Sequence, residues 1–99
     1  VTVPTGYEMP HAPSDLERNV LALVEILREA DRVAAELYVT AGRITRLATM
    51  LGALPDPSAW TAAAMLNQAA ATCVATANLL RQAGKLGADW AWQTMWRAH

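Results

Sequence analysis

From Leu16 onward, Leu16, Val20, Leu23, Leu27, Ala30, Ala34, Leu37, Ala41, Ile44, Ala48 and Leu51 recur in alternating steps of four and three. Eleven apolar or small positions in unbroken phase leave room for little except one long α-helix with a coiled-coil-like seam. Leu or Ile fills most of one seam position and Ala most of the other, so a partner backbone is expected to come close. Ser14 followed by Glu17 is the capping-box pattern, and Pro13 blocks an earlier start. Gly52, just past Leu51, reads as the stop. The predicted helix is 14–51.

Ile26, Val33 and Leu47 flank this seam on one side, with Val24 and Tyr38 on the other. That face is wider than a two-stranded coil needs and suits a bundle. The far side carries Arg18, Glu25, Arg32 and Arg46, with Asp15–Arg18, Glu25–Arg28 and Glu29–Arg32 at helical pair spacing. It reads as a solvated face, acidic early and basic late as the helix dipole prefers.

Leu54-Pro55-Asp56-Pro57 is a tight connection in which Asp56 caps the next helix and Pro57 takes its first position. So short a link implies antiparallel neighbours. The second helix is predicted from about Pro57 to about Ala83, with a seam of Ala63, Leu66, Ala70, Cys73, Ala77, Leu80 and Gly84. Thr61, Gln68, Thr72 and Gln82 lie opposite, with Asn67 and Asn78 at one edge, and no charged residue occurs from Pro57 to Leu80. A helix of this kind must be sheltered on more than one side or lie in a membrane. Membrane insertion is not expected, because Asn67, Gln68, Asn78 and several Thr residues offset few strongly apolar side chains. One hairpin cannot shelter it alone, so self-association is the expectation.

Gly84 and Gly87 are expected to interrupt the helix, and Asp89 to cap a short third one on which Trp92, Met95 and Trp96 share a face. Trp90, Trp92, Met95 and Trp96 are candidates for a partner-binding patch. For the three Trp, closing a small core is the favoured role, since Trp in small domains is usually core.

A chain of 99 residues has room for one small domain. It is 54% apolar and 17% charged, where about 25% charged is usual. A net charge of −1 gives no basic field for nucleic acid. Cys73 is the sole cysteine, which excludes an intrachain disulfide and fits a reducing, cytoplasmic setting. No secretory or lipidation signal is visible. Abundant Ala, absent Phe and an excess of Arg over Lys suggest a GC-rich bacterial gene. Residues 1–13, with Pro4, Gly6, Pro10 and Pro13, read as an extended arm with apolar handles at Val3, Tyr7 and Met9.

Reactive chemistry finds little support. His11 and His99 stand without partners at metal-ligand spacing, and no inward Glu-x-x-His pattern occurs, so no metal or cofactor is expected. Cys73 lies on an apolar seam without a nearby activating group in sequence. Glu25, Glu29, Asp31 and Glu36 read as surface carboxylates, and Arg43, Arg46, Arg81 and Lys85 as small solvated basic spots. No phosphate loop, nucleophile elbow or helix-turn-helix punctuation is present.

In length and helix pairing the chain is similar in outline to the small Trp-x-Gly hairpin proteins of type VII secretion. Their signature lies in the turn. Here the turn is Gly52-Ala53-Leu54-Pro55-Asp56-Pro57, and Trp60 is followed by Thr61 and Ala62. The similarity therefore carries over no residue and no family membership.

The fold expected is all-α: an antiparallel helical hairpin with a short third helix, two copies pairing as a homodimeric four-helix bundle. Leu16, Leu23, Leu27, Ala30, Ala34, Leu37, Ala41, Leu66, Ala70, Cys73, Ala77 and Leu80 are the expected interface residues. The function expected is a non-catalytic protein–protein interaction module: adaptor, scaffold or assembly subunit. Its partners would be itself and another protein. The alternative is a small bacterial regulator such as an antitoxin or a transcription-linked factor. A ligand-binding or enzymatic bundle ranks last, because the seams offer Ala and Leu where a pocket would need polar groups.

Overall fold

The structure is a computed structural model and describes residues 14–98. Two helices make it up: α1, Asp15–Gly52, and α2, Pro57–Ala98. The expected arm over residues 1–13 lies outside the described residues. α1 starts where the capping box places it: the Glu17 amide donates to Ser14 Oγ (3.0 Å) and the Ser14 amide to Glu17 Oε1 (3.1 Å). It ends without a left-handed residue. Gly52 is its last helical residue, and Ala53 caps it with φ −81° and ψ −12°. The Ala53 amide reaches the Met50 carbonyl at 3.3 Å and that of Leu54 the Leu51 carbonyl at 3.1 Å.

The connection closes on itself. Asp56 Oδ1 accepts from the Ser58 amide at 2.9 Å, which caps α2, and the Trp60 indole N–H donates to the Leu54 carbonyl at 2.6 Å. Trp60 thus straps the loop to the first turn of α2. The helices it joins run antiparallel, about 57 and 63 Å long at 1.5 Å per residue.

The expected third helix is not present. α2 is a single helix of 42 residues that runs through Gly84, Gly87 and Asp89. Neither glycine breaks the helix, and Gly87 is a packing position. A Cβ built on Gly87 would stand 2.9 Å from Leu27 Cδ2, so the missing side chain makes the space Leu27 occupies. Continued past Leu80, the four-three count of α2 passes Gly84, Gly87, Ala91 and Thr94, all buried or half-buried. One seam runs nearly the length of α2, starting at buried Ala59.

This seam is almost entirely alanine where it is deepest. Among the described residues the buried ones are Val20, Ala34, Ala41, Ala48, Ala59, Ala63, Ala70, Ala77 and Ala91, and no large side chain is fully buried. The residues expected at an oligomer interface fall on this contact within one chain. Ala34, Ala41, Ala70 and Ala77 are buried; Leu23, Leu27, Ala30, Leu37, Leu66, Cys73 and Leu80 are half-buried; Leu16 is exposed. Small residues let the two backbones approach, and the larger seam residues close the edges around them.

Candidate interaction surface

The two long sides of the hairpin differ in chemistry. On one side, Asp31 faces Arg81 at 3.9 Å, Arg81 lies over the Tyr38 ring at 4.9 Å, and the Tyr38 hydroxyl donates to Asn78 Oδ1. Beyond them opens a groove of about 710 Å³ lined by Val24, Leu27, Arg28, Asp31, Arg81, Gly84, Lys85 and Ala88. On the outer face of α1, Arg32 bridges Glu29 and Glu36, the latter at 2.7 Å. The hydrogen bond from Arg32 holds the Glu29 carboxyl below its ordinary range, and Glu29 in turn raises Arg32. Both groups are in solvent.

Among the described residues no ion pair links the two helices on the other side, though Glu29 and Glu36 stand at its α1 edge, held by Arg32. Ile26, Val33 and Leu47 border it on α1, with Ile26 and Leu47 exposed and Val33 half-buried. On α2 it presents a second four-three series, rotated away from the hairpin seam: Ala62, Met65, Ala69, Thr72, Thr76, Leu79, Ala83, Leu86 and Trp90. Met65, Leu79 and Leu86 are 65–70% exposed and Trp90 is 52% exposed. The Thr72 hydroxyl already donates to the Gln68 carbonyl at 3.1 Å, so this polar residue is satisfied within its own helix. Of this series only Thr72 belongs to the polar set expected opposite the hairpin seam. The signal that finds it is spacing: Met65, Thr72, Leu79 and Leu86 stand every seventh residue, with Ala62, Ala69, Thr76 and Ala83 alternating between them.

The C-terminal aromatics do not close the core. Trp92 and Trp96 stack at 6.1 Å between centroids, with 21° between planes, and are 70% and 72% exposed. Phase explains the difference from expectation. Since α2 keeps its seam through Ala91 and Thr94, the positions of Trp92 and Trp96 turn outward, and Met95 is the half-buried member of the group. Trp90, Trp92 and Trp96 form an exposed aromatic end.

Cys73 is a half-buried free thiol on the hairpin seam. Among the described residues, no three His, Cys, Asp or Glu side chains gather as a metal ion would require. His11 and His99 lie outside the described residues. No helix among the described residues is long and apolar enough to cross a membrane. No protein-family model, curated protein or solved structure matches this chain.

Proposed function

We propose that the protein is a non-catalytic helical interaction module that works as a homo-oligomer, two hairpins pairing into a four-helix bundle that leaves its aromatic end for a further protein partner. One observation carries this reading. Within the hairpin the buried set is Val20 and eight alanines, while Leu21, Ile26, Leu47, Met50, Met65, Leu79, Leu86 and all four Trp residues are more than half exposed. Apolar burial is worth about 25 cal/mol per Å², and here the large side chains that would supply it stand outside. Small domains in this position usually gain the missing burial by association. Exposed large apolar residues that share one helix face, as Met65, Leu79 and Leu86 do, mark interaction sites. The stacked Trp92–Trp96 pair has the residue type that dominates binding energy at protein interfaces.

Sedimentation equilibrium of the purified chain at micromolar concentration tests the reading. A mass twice the 10.7 kDa of one chain is expected. A single-chain mass across the accessible concentration range overturns self-association.

A further inference from the structure

We propose that a second copy of this chain docks on the outer face of α2 with its own α2 running antiparallel, and that Met65, Ala69, Leu79, Ala83 and Leu86 form the contact. This rests on the self-association reading and assigns the surface, the orientation and the register. The first argument is self-complementarity of size. In an antiparallel seam, residues meet in layers that step in opposite directions along the two helices. With a two-fold axis level with residue 74, Met65 meets Ala83 of the second copy, Ala69 meets Leu79, Ala62 meets Leu86, Ser58 meets Trp90, and Thr72 meets Thr76. Every large side chain then faces a small one, and each layer is repeated by symmetry, as an isologous contact requires. Sliding by seven residues in one direction sets Met65 against Trp90, two large residues in one layer. Sliding in the other sets Leu86 level with Pro55 and Trp90 level with Leu51, before the start of α2, so both lose their place in the contact. The size pattern and the start of α2 together select one register.

The second argument is charge. A two-fold contact buries the same face of both copies, so any charge on it is desolvated twice and needs an opposite charge at its symmetry-paired position; a face without charge avoids that cost. From Ala62 to Trp90 this seam has none, and the first charge along it is Arg97. Arg81 is held on the other side of the hairpin by Asp31 and Tyr38. Burial of Thr72 strands no hydroxyl, because its hydrogen bond to Gln68 stays within the helix.

The third argument is area. From Ser58 to Trp90 the strip is about 48 Å long and one helix diameter, about 10 Å, wide, so the α2 pair alone covers roughly 500 Å² per partner. Ile26, Val33 and Leu47 of α1 border the same side and widen it toward the roughly 800 Å² per partner of a stable interface. The hairpin already uses the same device internally, where Gly87 leaves the space for Leu27.

The test uses the full chain. Leu79→Glu and Ala69→Glu each place a carboxylate in the proposed contact, and Ala71→Glu places one on an exposed part of α2 away from both seams. Wild type and Ala71→Glu are expected to sediment as dimers. The two seam variants are expected to dissociate about 100-fold more readily or worse, with the circular dichroism of a folded helix. As a measurement independent of stability, a Cys73→Ala chain carrying Thr72→Cys is mixed with a Cys73→Ala chain carrying Thr76→Cys. These positions face each other across the axis, so a disulfide between copies is expected on mild oxidation. A dimer that tolerates both glutamates, or that does not cross-link, overturns this surface while leaving self-association intact. A monomeric wild type overturns both.

Discussion

Glycine carries two different meanings in this chain. Gly42 sits on the exposed side of α1 with nothing within 4 Å of where a Cβ would stand, whereas a Cβ on Gly87 would meet Leu27 Cδ2 at 2.9 Å. Gly42→Ala should therefore gain the helix-propensity difference of about 1 kcal/mol, a rise of roughly 4–8 °C in melting temperature for a domain of this size. Gly87→Ala gains the same propensity but forces the Leu27 methyls aside, so its melting temperature should rise by less or fall. Thermal melts of the two variants under one buffer check the order; equal gains would mean that Leu27 does not depend on the space at Gly87.

At the scale of elements, the deep alanines hold the helices together by admitting close approach. Ala34 has no exposed surface, while Leu21 is 61% exposed. Ala34→Leu should destabilise by about 1–3 kcal/mol through overpacking, and Leu21→Ala by no more than about 0.5 kcal/mol. Urea unfolding of both variants decides the point, and a larger loss for Leu21→Ala would invalidate the seam. Trp92→Ala with Trp96→Ala should leave the melting temperature within a few degrees of wild type, because neither ring is in the core; a fall of more than 10 degrees, which corresponds to about 2 kcal/mol, would place them there. Both helices were legible where signals agreed. For α1, the capping box, the unbroken seam and the charged far side all pointed to one span. For α2 they conflicted: Gly84 and Gly87 looked like breaks, yet both sit on the four-three count that continues to Ala91 and Thr94. Counting phase before composition finds the full helix, and with it the outward turn of Trp92 and Trp96. The outer seam was hidden for a related reason, since Thr and Ala between Met65, Leu79 and Leu86 lower the contrast on which an amphipathic pattern depends.

For the whole molecule, the hairpin is tied at one end only. Trp60, Asp56 and the Ala53 cap close the loop end, while Asp15 and Ala98 lie at the far end of two helices about 60 Å long. Joining contacts next to the loop closes a short stretch of chain, and each further layer out adds a small closure entropy and a small gain. The chain then behaves as a zipper whose slider starts at the loop. Opening should be graded, easiest where α1 begins and α2 ends and hardest near Ala48 and Ala63. Hydrogen exchange read amide by amide should show this slope, and uniform protection along both helices would contradict it. The same slope means that the stacked tryptophans ride on the segment that unzips first, so anything that grips them would also fasten the open end.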